Sequence, residues 1–469
     1  MITFNNTKTL LELVKNIGKE FENNVFLRYE RDDTIFEKGY GTFSMDTMSV
    51  AVYIEEQNKK AGHKIHAAVL GKCSYEYLTV LLGVPCGGGV SIPMDVKLTA
   101  QKMAENLKKA DTDILFYDYS FSSQADELRE LCPFIKRFIC LQTRKNSRNV
   151  PIMHKVFRGE TVKEKIKPDM CAMIIFTSGT TGHGKGVMLS HANLIDNMFC
   201  TDDAKEVCLN VLPIHHIFCI SSDVLLALRY GSTLCICDDM SKILYYIKLF
   251  QPTVIRVVPM IAKMFVNRIA ILRKKNPERS IVEIKEEVLG KRLNRLVSGG
   301  GYLSETLSDA LLNLGIVTGQ GYGMSECSPK ISVPDYTRRD KMASVGHLVT
   351  GCHVRIVDGE IQVKSPSVMM GYYNDEELTK EAITEDGWLC TGDLGYVDDE
   401  DFLYLNGRKK NLIILSNGEN VSPEMIENYF DEDRLVQDII VYGKDDIIAA
   451  EIYPNYEYAQ VNGITDIET

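Results

Sequence analysis

Residues 177–187, Thr-Ser-Gly-Thr-Thr-Gly-His-Gly-Lys-Gly-Val, constrain this chain more than any other stretch. They follow a short apolar run, Met173-Ile174-Ile175-Phe176, that reads as a buried strand, and a pattern suited to a helix opens at His191. Glycines at 179, 182, 184 and 186 let the backbone turn sharply and bring N–H groups close to an anion. The hydroxyls of Thr177, Ser178, Thr180 and Thr181, together with Lys185, add donors and positive charge. The expected ligand carries several phosphates. An ordinary glycine-rich turn is the competing reading of such a loop taken alone.

The pattern G-x-x-x-x-G-K-[ST] nearly fits 179–185, but Gly186 stands where a P-loop nucleotidase needs its magnesium-binding hydroxyl. That disfavours a kinase or ATPase of the P-loop type. The hydroxyl-rich loop instead resembles that of the acyl-adenylate-forming superfamily, which includes acyl-CoA synthetases, peptide-synthetase adenylation domains and beetle luciferases. The resemblance implies that Thr177, Ser178, Gly179, Thr180, Thr181, Gly182 and Lys185 hold the β- and γ-phosphates of ATP, with Thr177 and Lys185 among the catalytic residues.

Further segments resemble the superfamily in its own order. Residues 319–326, Gly-Gln-Gly-Tyr-Gly-Met-Ser-Glu, match its Y-G-x-[ST]-E motif. The match implies Tyr322 at adenine, Ser325 beside the α-phosphate and Glu326 as a ligand of Mg²⁺, with Gly323 in the ATP-binding set. An aromatic face suits a purine, and a carboxylate is a hard oxygen ligand. Residues 372–393, which end in Thr-Gly-Asp, also match the superfamily, and the match implies that Asp393 accepts hydrogen bonds from the ribose hydroxyls. Residues 407–410, Gly-Arg-Lys-Lys, resemble the hinge motif, with Arg408 near ribose and phosphate and Lys410 as the pivot. Asn411 stands where many members carry Asp, and no role follows for it.

Residues 212–216, Leu-Pro-Ile-His-His, match a motif whose last histidine, His216, borders the acyl pocket. Residues 298–301, Ser-Gly-Gly-Gly, resemble the strip between adenine and acyl chain, so Gly299 and Gly300 join the ATP-binding set. Residues 416–423 resemble the small-domain loop that meets pantetheine, which includes Gly418. The glycine run 87–89 followed by V-x-I-P-x-D resembles a structural motif that lets helix and strand approach closely. For each residue taken singly the bland reading is a core tyrosine, a turn aspartate or a structural histidine. The ordered series is what favours the superfamily.

The implied reaction joins a carboxylic acid to AMP at the expense of ATP and then transfers the acyl group to coenzyme A, with Mg²⁺ as cofactor. The wording of 407–411 and 417–423 looks most like medium- or long-chain fatty acyl-CoA synthetases. No acid occupies 216–219, where amino-acid-selecting members carry one, so an α-amino acid is disfavoured. Loading of a carrier-protein pantetheine is the alternative acceptor. The superfamily's C-terminal lysine finds no counterpart near 460–469, which suggests a truncated small domain or, alternatively, a non-catalytic nucleotide-binding module. Nucleic-acid ligases are disfavoured, because the K-x-D-G nucleophile pattern is absent.

Net charge of −11 argues against a nucleic-acid binder. The start lacks a basic segment followed by a long apolar run, so no signal peptide is expected, and 211–228 is interrupted by His215, His216 and Asp223, against a membrane span. Thirteen cysteines without a C-x-x-C pair suggest reduced thiols and a cytoplasmic location. Strand and helix patterns alternate before and after the loop, which predicts parallel sheets with crossover helices. The expectation is an α/β fold with a large N-terminal domain, 1–407, of two sheet layers. It carries a barrel-like, β-rich subdomain at about 332–405, and a hinge with an incomplete α+β C-terminal domain fills 408–469.

Overall fold

The computed structural model describes residues 6–141, 161–177, 184–201, 204–416, 420–430, 433–444 and 447–464. Two seven-stranded sheets form its centre. The first runs in the order Gly371–Tyr372, Lys185–Ser190, Cys171–Thr177, Val90–Pro93, His66–Leu70, Ile114–Tyr117 and Arg137–Cys140. The second runs Val317–Gln320, Arg295–Ser298, Val254–Val257, Val207–Asn210, Thr233–Ile236, Val25–Arg31 and Thr34–Gly39. Most neighbours are parallel, and the central strands are short, apolar and buried, as sheets covered on both faces require.

The two sheets share one hydrophobic core. Val69 and Ile175 of the first and Leu27 and Leu234 of the second belong to a single cluster with Ile17, Phe43 and Tyr77 from the helices Leu10–Glu20, Tyr40–Ala61 and Tyr75–Cys86. The glycine run makes this packing possible. A Cβ on Gly87 would stand 2.2 Å from the Ala51 carbonyl oxygen, a distance no side chain tolerates.

Helix Tyr40–Ala61 opens on a stretch poor in helix formers. Gly41, Ser44 and Thr47 are weak helix formers, but Tyr40 and Phe43 are fully buried, and that burial recruits the first turns.

The β-rich region comprises a three-stranded sheet, Tyr322–Gly323, Lys330–Val333 and His347–Leu348, and a four-stranded antiparallel sheet, His353–Val357, Glu360–Lys364, Leu389–Val397 and Leu403–Arg408. A bridge between His347 and Phe402 connects them. Beyond Arg408 the chain forms the helix Pro423–Phe430 and the hairpin Val436–Lys444 with Ile447–Pro454.

Candidate active site

Parallel strands deliver the loops that follow them to one edge of their sheet, where α/β proteins bind ligands. In the second sheet Ser298 pairs with both Val257 and Gln320, so Val258, Gly299 and Gly321 leave that edge side by side. The Gly321 N–H donates to the Ser298 carbonyl at 3.0 Å, which brings Tyr322 next to the glycine strip. Gly299 is buried under the Phe218 ring, and a Cβ there would lie 3.0 Å from it. Gly300 has φ +75°, which favours glycine. The Ser298 hydroxyl is buried beside them without a hydrogen-bond partner among the described residues, the kind of atom a polar ligand satisfies.

Val207–Asn210 leaves the same edge toward His216, which is exposed at the N-terminal cap of the short helix Ile217–Cys219. Its ring centroid is 4.2 Å from that of the buried His215, whose Nε2 lies 3.7 Å from Asp95 Oδ1. Burial, assisted by His216, pushes His215 down to about 4, and burial also lowers His216. Both rings are therefore neutral at pH 7.

The Thr-Gly-Asp and Gly-Arg motifs are cross-strand partners, because Asp393 stands opposite Arg408 in the antiparallel sheet. Tyr322 Oη donates to Asp393 Oδ2 at 2.6 Å, and Arg408 Nε lies 3.0 Å from Asp393 Oδ1. Thr391 Oγ1 accepts the Asp393 N–H at 3.1 Å and donates to the Ile361 carbonyl at 2.7 Å, which fixes the backbone of Asp393. Burial raises the Asp393 pKa, opposed by the Tyr322 hydroxyl and the Arg408 guanidinium. Lys410 is exposed, and Asn411 Nδ2 donates to Glu424 Oε1 at 2.6 Å.

The glycine-rich stretch departs from the strand-then-helix arrangement its sequence suggests. Cys171–Thr177 and Lys185–Ser190 form an antiparallel hairpin with Thr177 opposite Lys185, and the helix His191–Phe199 follows behind a Ser190 cap. The edge Lys185–Ser190 offers to solvent is taken by Gly371–Tyr372, and the Tyr373 N–H donates to the Gly186 carbonyl at 2.8 Å. Ser178, Gly179, Thr180, Thr181, Gly182 and Gly418 lie outside the described residues.

Glu326, in the short turn Ser325–Cys327, is 8% exposed. Its Oε1 accepts the Tyr372 hydroxyl at 2.8 Å, while Lys185 Nζ sits 5.3 Å from the centroid of the Tyr372 ring. Among the described residues no three His, Cys, Asp or Glu side chains cluster as a metal cage. A lone carboxylate is nonetheless a fitting donor for Mg²⁺, which is commonly bound by one or two carboxylates plus substrate phosphates and water. Tyr372 carries no expectation from sequence, because its partner Glu326 is distant in the chain and nothing local marks the hydroxyl.

O-succinylbenzoate coenzyme A synthetase from Bacillus subtilis, solved in complex with ATP and magnesium ion, has the same architecture, with TM-score 0.75 at 23% identity over 94% of this chain and 89% of that one. The fold is therefore that of the adenylate-forming proteins. The AMP-binding enzyme family matches residues 18–373, and this chain belongs to it. A 2-succinylbenzoate–CoA ligase of Bacillus cytotoxicus is 30% identical over 406 residues, 82% of this chain and 76% of that protein. The 4-coumarate–CoA ligase 2 of Oryza sativa subsp. japonica is 32% identical over 323 residues, 63% of this chain, and the match spans 54% of that relative, little more than half its length.

Proposed function

We propose that the chain is an AMP-forming acid–thiol ligase. A substrate carboxylate attacks the α-phosphorus of ATP and the bond to pyrophosphate breaks, which leaves an acyl-adenylate. The thiol of coenzyme A then attacks the acyl carbon, loses its proton and expels AMP. Negative charge develops on oxygen in both steps, so positioned donors rather than a protein nucleophile carry the catalysis.

In this reading Tyr322 faces adenine, Gly323 belongs to the ATP-binding set, Asp393 accepts from the ribose hydroxyls, and Arg408 reaches ribose and phosphate. Thr177, Lys185 and Ser325 serve the phosphates. Glu326 would hold Mg²⁺, which supplies positive charge against the phosphate oxygens. His216, Gly299 and Gly300 border the acid, Lys410 is the pivot of a hinge between domains 1–407 and 408–469, and the loop with Gly418 meets pantetheine.

The observation that carries this reading is the group formed by Tyr322, Asp393 and Arg408, in which two motifs distant in sequence converge on one anchored carboxylate. The proposed acid has an apolar body. Medium- and long-chain fatty acids are the first candidates, and aromatic acids, for which the two curated relatives are named, are the competing class. The test is acid-dependent exchange of labelled pyrophosphate into ATP across fatty, aromatic and amino acids, followed by AMP release with coenzyme A or a phosphopantetheinyl carrier protein. Exchange confined to amino acids would contradict the proposal.

A further inference from the structure

The side chain of Tyr372 touches both halves of the phosphate site. Its hydroxyl donates to Glu326 Oε1 at 2.8 Å, and its ring faces the Lys185 ammonium at 5.3 Å. Tyr372 and Glu326 are 7% and 8% exposed. The backbone of Tyr372 is fixed twice, by pairing with Val187 in the strand that carries Lys185 and by its N–H, which donates to Thr379 Oγ1 at 2.9 Å.

We propose that Tyr372 is a positioning residue of the magnesium and phosphate site. The inference rests on the ATP-dependent reading above. A carboxylate can rotate and present either oxygen, whereas a hydroxyl held on Oε1 leaves Oε2 to face a cation. Groups that orient a metal's ligands in this way set much of its affinity. The aromatic face seats the Lys185 ammonium without cancelling its charge, which a carboxylate in that place would do. A tyrosine therefore fixes an anion and a cation at once.

The test uses calorimetric titration of the full chain with ATP, once with Mg²⁺ and once with EDTA; the ratio of the two dissociation constants is the magnesium-dependent gain. E326Q is expected to reduce that gain strongly. Y372F is expected to reduce it about tenfold and to leave metal-free ATP binding unchanged, since the ring remains under Lys185. Y372L is expected to weaken metal-free binding as well, by about threefold.

A purely structural tyrosine would change the melting temperature and leave the gain intact, so a wild-type gain in folded Y372F overturns the proposal. Should Y372F fail to fold, T379V, which removes the acceptor of the Tyr372 N–H, decides instead. A reduced gain supports the proposal and an unchanged one contradicts it. An unchanged gain in E326Q removes Glu326 from the metal site and overturns the inference while nucleotide binding stands. Failure of the wild-type chain to bind ATP overturns the functional reading itself.

Discussion

Tyr322 and Asp393 share a 2.6 Å hydrogen bond across 71 residues of sequence, so the ring assigned to adenine and the carboxylate assigned to ribose move as one unit. Loss of the carboxylate should then cost more than loss of the hydroxyl. D393A is expected to lower kcat/KM for ATP in the exchange assay by about ten- to a hundredfold, the worth of hydrogen bonds to a charged group. Y322F keeps the ring and should lose about fivefold or less.

His191 sets an acid limit on stability. It is fully buried, its Nδ1 accepts the Leu10 N–H at 3.2 Å, and its Nε2 has no hydrogen-bond partner among the described residues. Protonation at Nδ1 would break that bond inside the core, and burial pushes the pKa down to about 4 from the usual 6.5. The unfolded chain binds the proton more readily, so stability is full above pH 6.5 and falls as pH drops toward 4, by about 3 kcal/mol from this residue. Thermal melts across that range should show the slope, and H191Q should flatten it.

Gly323 admits no side chain. A Cβ there would stand 2.1 Å from the Pro329 carbonyl oxygen, which is backbone. G323A is expected to cost about 1–3 kcal/mol, measured by denaturant unfolding, and to weaken ATP binding because Tyr322 and Ser325 flank the displaced turn.

Beneath the 212–220 segment, the fully buried Asp223 accepts from Asn210 Nδ2 at 2.8 Å and lies 3.4 Å from Arg256 Nη1. D223A leaves the guanidinium without this counter-charge and should cost about 3–5 kcal/mol in urea unfolding. The double variant D223L/R256M removes both charges and should recover part of that loss.

The sequence displayed the parallel sheets because short buried runs such as Met173 to Phe176 and His66–Leu70 stand between recognisable breaks. It displayed Tyr322, Asp393 and Arg408 as motif positions because each lies in a stretch of distinctive residues. It concealed Lys185–Ser190, since Lys-Gly-Val-Met-Leu-Ser fits a loop running into a helix as readily as a strand, and pairing with Cys171–Thr177 decides the matter. It concealed the helices Ile281–Leu289 and Glu305–Asn313, although Ser280 and Ser304 cap them. The contact between Tyr372 and Glu326 was beyond local reading, because strand pairing between 371–372 and 187–188 creates it.

The central claim is tested most directly by carboxylate-dependent pyrophosphate exchange into ATP, with wild type and D393A side by side over fatty and aromatic acids. Exchange that requires one class of acid and falls at least tenfold in D393A is the predicted result. Exchange that D393A leaves unchanged, or its absence with every acid despite measurable ATP binding, would contradict the account.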